Sequence, residues 1–411
     1  MAHKTFEVEI TALANGGSGI GLYHGRTVFI PHTIPGERVE ARVTQDKGKV
    51  MFAEGVRLLE ASADRVFPRC AHFGKACCGR WQHIDYRAQL VLKQDVLADQ
   101  LSRIGEFSDA HVERVLRPTI ASTQEWGYNH HMTLYALKSG ALGLHAVDGR
   151  IQPLDECHLL HPDLWSLYDA LDLDFAGLKR LKVQLGTDGA HMLILTMAND
   201  LAPELETDMP TSVNMLLEDN EPMNLIGDSH SRFAVRGHTF RVTAGSSFRA
   251  NISQLDNLVK LVLDTLLLTG KEAVLDLYAG VGLFSAFIAP HASLVTLVES
   301  YPPAVTDADE NLQTFDHIDV IEGSVEEALD ELDEAYDMAL LDPPGTGLSV
   351  EVVNLLGERA LPRLVYVSSD PATLARDAKR LAKHGYRLEL VQPIDLAPQT
   401  YYIDAVVLFV R

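Results

Sequence analysis

The run Ala273-Val274-Leu275-Asp276-Leu277-Tyr278-Ala279-Gly280-Val281-Gly282-Leu283-Phe284-Ser285 reads as a buried strand, a tight glycine turn and the start of a helix. Glycines at such a turn let a ligand approach the backbone, and the helix N–H groups face it. Glu299 closes the next predicted strand, 23 residues after Asp276. A carboxylate there can accept hydrogen bonds from two ribose hydroxyls, which favours a nucleoside cofactor. The third glycine of a dinucleotide fingerprint is replaced by Ser285, which weakens an NAD reading. Asp276 before the turn suits an ammonium group better than a pyrophosphate. An acidic residue on each side of a glycine turn fits S-adenosylmethionine, which carries an amine, a sulfonium and a ribose. The plainer reading is a strand–turn–helix without ligand; Asp276, Gly280, Gly282 and Glu299 together argue against it. Asp342-Pro343-Pro344 after a later strand is either a rigid turn or part of the same pocket, because ligands in such sheets sit at the carboxyl ends of strands.

The elements that must position these residues follow from periodicity. From about residue 240 strands alternate with helical patterns, as in a parallel doubly wound sheet. The strand candidates are Ala273–Leu277, Leu294–Val298, Met338–Leu341 and Arg363–Val367, with a helix over Gln254 to Leu268. Residues 5–60 read as short strands: Phe6, Val8 and Ile10 alternate with charged residues, then come Thr27–Ile30 and Val39–Val43. Several short strands with turns at this spacing predict a small barrel. Residues 87–104 have helical spacing, and 126–200 return to strand-like runs such as 132–135 and 192–195. The acidic, proline-containing stretch near 202–222 reads as a loop region.

The length of 411 residues points to two or three domains. No apolar run has the length of a membrane span, and no apolar signal region opens the chain, so the expectation is a cytoplasmic protein without membrane contact. The net charge of −22 argues against nonspecific phosphate binding, but residues 1–120 carry 16 basic against 14 acidic residues. Any nucleic-acid contact is therefore expected towards the N-terminus. Of the four cysteines, Cys70, Cys77 and Cys78 crowd together and Cys157 follows later. Such crowding in a cytosolic chain suggests metal before disulfide.

Several segments together resemble one family, the RNA uracil-C5 methyltransferases that carry an N-terminal TRAM domain. They are residues 5–60, Phe67 to His83, Trp126-Gly127-Tyr128-Asn129, Ser247-Phe248-Arg249-Ala250-Asn251, Asp276 to Ser285, Leu341-Asp342-Pro343-Pro344, Val365 to Asp377, and Asp395 to Asp404. The resemblance covers nearly the whole chain. It implies a multidomain α/β protein: a TRAM β-barrel (OB-like) over 1–60, a central α+β domain with a cysteine-rich segment over 61–240, and a Rossmann-like class I methyltransferase domain over 241–411. Part of 81–114 is expected to pack on the catalytic domain. The cofactor would be S-adenosylmethionine, held by Arg249, Asp276, Tyr278, Gly280, Gly282, Glu299 and Asp342. The partner would be RNA, ribosomal or transfer, and the protein a monomer.

In this family a cysteine thiolate adds to C6 of uracil, C5 takes the methyl group, and a carboxylate removes the C5 proton. Here the nucleophile position holds Ser369 and the base position Asp404, one methylene shorter than the usual glutamate. All four cysteines precede residue 158, so none replaces the thiolate in the catalytic segment. Tyr402 stands where histidine is usual, Gly345 where arginine is, and Arg249 where glutamine is. Three readings of Ser369 stay open: a silent relative that binds cofactor and RNA, an engineered inactivation, or a different reaction. Asp404 is either the base or a surface carboxylate near the chain end. The resemblance also implies a [4Fe-4S] cluster on Cys70, Cys77, Cys78 and Cys157, although the adjacent middle pair departs from the family spacing; the alternative is a vestigial loop of free thiols. For RNA contact, Arg26, Arg38, Arg42, Lys47, Lys49 and Arg57 are spread through the barrel, with Tyr23, Phe29 and Phe52 either core or stacking residues.

Overall fold

A computed structural model describes residues 5–75, 79–137, 139–146, 149–171 and 177–411. The chain begins with β1 (Thr5–Leu13), β2 (Gly19–Tyr23), β3 (Arg26–Ile30), β4 (Arg38–Asp46) and β5 (Val50–Glu60). They close a barrel in the order β1-β2-β3-β5-β4. The alternation in β1 places Phe6, Val8 and Ile10 inside, against Val28, Ile30, Val39, Ala41, Met51 and Ala53. Gly17, in the β1–β2 turn, lies against Trp81 and Tyr401; a Cβ there would meet the Trp81 indole nitrogen at 2.6 Å. The turn thereby seats the barrel on the rest of the protein.

Next come α1 (Tyr86–Arg103), capped by the Asp85 carboxylate, and α2 (Asp109–Val115), capped by Ser108. Although they precede the central sheet in sequence, both pack on the C-terminal sheet. Val96, Leu97, Leu101, Val112 and Val115 join its core. The central sheet holds β6 (His131–Ala136), β7 (Leu142–His145), β8 (Ile151–Pro153), β9 (Leu178–Leu185), β10 (His191–Met197), β11 (Thr211–Leu216) and β12 (Pro222–Ile226). Their order is β12-β11-β10-β9-β6-β7-β8, and α3 (Pro162–Asp169) covers one face through Leu164 and Leu167. The stretch read from sequence as a loop thus contains a strand, β11, parallel to β10. Val213 and Met215 are buried and earn it a place in the sheet; the acidic residues around it lie in the flanking turns.

A hairpin of β13 (His230–Val235) and β14 (His238–Thr243) sends Phe233, Val235, Phe240 and Val242 into the C-terminal core. A short 3-10 turn then leads into α4 (Leu255–Leu266). The remaining chain alternates β15 (Ala273–Leu277), α5 (Ser285–Ile288), β16 (Leu294–Glu299), α6 (Pro302–Leu312), β17 (Ile318–Glu322), α7 (Val325–Glu331), β18 (Met338–Leu341), α8 (Val350–Arg359), β19 (Arg363–Ser368) and α9 (Pro371–Lys383). It ends in β20 (Arg387–Ile394) and β21 (Asp404–Val410). The sheet order is β17-β16-β15-β18-β19-β21-β20, parallel from β17 to β19 and antiparallel at β21 and β20. β15, β16, β18 and β19 are buried along nearly their whole length, as strands covered on both faces must be, and this is why they read as continuous apolar runs. No helix among the described residues is long and apolar enough to cross a membrane.

Candidate active site

β15 is a central strand with β16 and β18 on either side, so its carboxyl end opens into the crevice where the sheet changes direction. After Leu277 the backbone turns sharply, with positive φ at Tyr278 (63°), Gly280 (56°) and Gly282 (80°). Gly282 is obligatory for packing as well, since a Cβ would lie 2.8 Å from the Leu312 side chain. At Gly280 the added space is open, with nothing within 4 Å. Its N–H donates to the Glu299 carboxylate at 2.9 Å, and the other Glu299 oxygen accepts from the Ser300 and Tyr301 N–H groups at 2.8 Å each. Three backbone donors therefore fix that carboxylate at the end of β16.

Asp276 is fully buried. One carboxylate oxygen accepts from the Ser285 hydroxyl at 2.7 Å; the other, Oδ1, has no partner. Burial pushes its pKa up to about 7, the nearby Asp342 and Glu299 charges add to the rise, and the Ser285 hydrogen bond opposes it. A cavity of about 280 Å³ adjoins this turn, lined by Leu216, Asn220, Gly245, Ser247, Gly280, Glu299, Tyr301 and Ala304. Tyr278 does not line it. Its ring packs into the core on the side of Tyr366 and Asp377. Leu216, Asn220 and Tyr301 were not foreseen from the sequence. Asn220 and Tyr301 lie on separate turns joined by a hydrogen bond of 2.7 Å from the Tyr301 hydroxyl to the Asn220 carbonyl, and no local pattern marks them.

The second group of candidates meets at the carboxyl ends of β18 and β19. Arg249 donates to Asp342 at 2.6 Å and to Asp404 at 3.4 Å, bridging carboxylates 93 and 155 residues away in sequence. Asp404 is 7% exposed, which excludes the surface-carboxylate alternative. Burial drives its pKa up to about 6; Asp395 and Asp342 add to this, while Arg249 and Lys93 pull it down. Lys93 of α1, itself buried, pairs with Asp395 at 2.7 Å and donates to the Ala397 carbonyl at 3.0 Å. The helix thereby anchors the loop that leads to Asp404.

Ser369 is exposed and follows the last residue of β19. Ser368, the residue before it, pairs with Ala405, the residue after Asp404, across the antiparallel β19–β21 ladder. A Cβ built on Gly345 would sit 3.8 Å from the Ser369 hydroxyl oxygen. Asp370 accepts from the Ala372 and Thr373 N–H groups at 2.9 and 2.8 Å and so caps α9. Thr373 donates to the Gly345 carbonyl at 3.1 Å, and buried Asp377 accepts the Leu348 N–H at 2.8 Å. These bonds hold the loop after Pro344 against α9.

The cysteine segment gives a different result. Cys70 is buried and Cys157 half-buried, and burial raises the pKa of both thiols; Cys70 lies close enough to add to the effect at Cys157. Cys77 and Cys78 lie outside the described residues. Among the described residues no cluster of His, Cys, Asp or Glu has metal-holding geometry.

The barrel arginines have carboxylate neighbours. Arg26 pairs with Asp46, Arg38 with Glu7 and Glu60, Arg42 with Glu54, and Arg57 with Glu40. Their charge is largely compensated. Tyr23 packs on Phe6 at 4.2 Å, whereas Phe29 and Phe52 stack on the outside at 5.6 Å with the Lys47 ammonium 5.2 Å from the Phe52 ring.

Comparison with known proteins agrees with this architecture. Residues 1–56 match the TRAM domain, and residues 231–411 match the family described as tRNA (Uracil-5-)-methyltransferase. A protein of Streptomyces avermitilis described as an uncharacterized RNA methyltransferase is 30% identical, with 98% of this chain and 97% of the relative covered. One of Gloeobacter violaceus with the same description is 31% identical over 98% of this chain and 96% of its own length. The fold is also that of the Pyrococcus abyssi tRNA (uracil-54, C5)-methyltransferase solved with S-adenosyl-L-homocysteine, at a TM-score of 0.74 and 22% identity, covering 98% of this chain and 99% of that one. A barrel of the TRAM type, a doubly wound C-terminal sheet and end-to-end similarity to such relatives lead to one assignment: the chain belongs to the TRAM-domain-containing RNA uracil-C5 methyltransferase family.

Proposed function

We propose that this chain is an S-adenosylmethionine-dependent RNA methyltransferase of the uracil-C5 type in which Ser369 occupies the nucleophile position and Asp404 the base position. The observation that carries the reading is that Arg249 bridges Asp342 and Asp404 at the edge of the sheet that also carries exposed Ser369 after β19 and, at Gly280 and Glu299, the cavity. The residues present fit the cofactor. The unpartnered Asp276 oxygen suits its ammonium group, the oriented Glu299 carboxylate its ribose, and open Gly280 its close approach. When bound, S-adenosylmethionine supplies the methyl group. Arg249 holds Asp342 and Asp404 in place, and Asp404 is the group that accepts the C5 proton of a uridine turned out of its strand.

A second reading, an RNA-binding protein that keeps the pocket without transferring a methyl group, is favoured by one observation: the Ser369 hydroxyl has no hydrogen-bonded base among the described residues to activate it. One experiment separates the two. The protein and its Ser369→Cys variant are incubated with labelled S-adenosylmethionine and RNA lacking C5-methyluridine, and the label is mapped to a base. Transfer by the unaltered chain supports catalysis through serine. Transfer only by the cysteine variant supports an intact scaffold silenced at one atom. If neither transfers, although both bind cofactor and RNA, the binding-protein reading stands.

A further inference from the structure

Four barrel arginines and buried Lys93 have carboxylate partners. Two neighbouring cations on the central sheet are different. Arg180 and Lys182 of β9 project from the same face, since strand residues two apart share a side. Neither makes an ion pair or hydrogen bond through its side chain among the described residues. Lys182 is partly buried, and burial alone brings its ammonium pKa down to about 8. A desolvated, unpaired ammonium is costly, and an incoming anion removes that cost.

The register shows what surrounds them. Thr133 stands opposite Lys182, Tyr135 opposite Arg180, and His131 opposite Gln184. The alternate residues Leu134, Leu181 and Val183 face the other way, into the core beneath α3. The polar face is therefore directed away from α3. It is tied to the candidate site at one end: His131 bonds the Phe248 carbonyl at 2.9 Å, next to Arg249. Across β10 the same face reaches Leu216 of β11, which lines the cavity beside Gly280 and Glu299. At the open end the Tyr135 ring lies 4.2 Å from that of His145.

We propose that an unpaired stretch of the RNA substrate runs over this β6–β9 face into the site, with phosphates held by Arg180 and Lys182 and a base stacked on Tyr135. This rests on the reading of the chain as an RNA-modifying protein. The occupant is a polyanion because the cations are uncompensated. It is a single strand because a flat sheet face with an aromatic ring offers stacking to unpaired bases. It is substrate because the row Arg180, Thr196 and Leu216 leads across the face to the cavity lining.

The test is a salt titration of binding to a labelled, uridine-rich single-stranded RNA. Each phosphate contact in a single strand contributes about 0.7 to the slope of log affinity against log salt. The Arg180→Gln, Lys182→Gln double variant is expected to lower that slope by roughly 1.4 and to weaken binding at least about tenfold, while Lys260→Gln on α4 leaves both unchanged. Tyr135→Leu is expected to lose affinity by about fivefold or more without a change of slope, and Tyr135→Phe to restore it. If the double variant melts early, Arg180→Gln alone, at an exposed position, carries the test with a slope loss of roughly 0.7. An unchanged slope and affinity in variants that still bind RNA overturn this inference alone. Failure of the unaltered chain to bind RNA at any salt overturns the proposed function together with it.

Discussion

Replacing Asp276 by Asn tests the cofactor reading through a quantity that the fold itself sets. In the unliganded protein burial raises the Asp276 pKa to about 7. If the ionised carboxylate receives the ammonium of S-adenosylmethionine, binding competes with protonation, and apparent affinity scales as the inverse of one plus ten to the power of (7 − pH). That factor is about 33 near pH 5.5 and about 1.3 near pH 7.5, so affinity rises about 25-fold across the interval, equivalent to about 2 kcal/mol. Asp404, pushed up to about 6, titrates in the same window but stays in place in the variant, so it cancels in the comparison. Isothermal titration with S-adenosylhomocysteine, which keeps the amino group, reads the effect. The unaltered chain is expected to gain affinity steeply with pH and Asp276→Asn to bind more weakly with a nearly flat profile. A flat profile in the unaltered chain, or an equally steep one in the variant, refutes the argument. The same linkage reaches stability. A carboxylate whose folded pKa lies above its unfolded value stabilises the fold relative to neutral pH only while protonated, and that contribution is lost as pH rises through about 7. Asp276→Asn is accordingly expected to raise the melting temperature of the unliganded protein near pH 8 and to leave it unchanged near pH 4.

Three further perturbations have defined outcomes. Lys93→Met leaves Asp395 as an unpaired buried carboxylate and should cost about 3–5 kcal/mol in urea unfolding, with Lys93→Met, Asp395→Leu recovering much of it. His83 is buried, and burial lowers its pKa to about 3, with Arg65 and His32 adding to the fall and the Thr33 and Arg80 backbone opposing it. Its folded pKa is depressed, so the unfolded chain takes up the proton first, and stability falls as pH drops from about 6.5 towards 3 by up to about 1.4 kcal/mol per unit; His83→Leu should remove that slope in unfolding curves at pH 7 and pH 5. Gly347→Ala places a Cβ against the Asp377 carboxylate and the Arg376 guanidinium at a φ of +72°. It should loosen the loop after Pro344 and destabilise the protein by about 1–2 kcal/mol, measured by thermal melting.

Strands β15, β16, β18 and β19 were legible because burial on both faces leaves an uninterrupted apolar run with sharp ends. The glycine turn was legible because Gly280 and Gly282 are required locally by positive φ. β11 was not, because its short buried core of Val213 and Met215 sits between acidic turns that dominate any window average. The Arg249 bridge was hidden for another reason. Asp342 follows β18 and Asp404 opens β21, two strands that flank β19 only through the sheet order, and neither neighbour in sequence announces the contact. The compensated barrel charges depend on the β4–β5 register, which shifts at bulges between Arg38 and Val39, Glu40 and Ala41, and Val43 and Gln45. Counting basic residues along the chain therefore overstates what the barrel offers to phosphate.

The placement of α1 has a consequence for synthesis on the ribosome. Its apolar stripe of Val96, Leu97 and Leu101, and the Lys93 ammonium, belong to a core whose other half includes α9, β20 and the Asp395 loop, some three hundred residues later in translation. The helix emerges long before the surface that receives it, so an early segment waits for a late one to complete the shared core. Cutting the gene at residue 231 to isolate the catalytic lobe would leave the groove for α1 bare, whereas supplying residues 79–117 as a separate peptide should seal it.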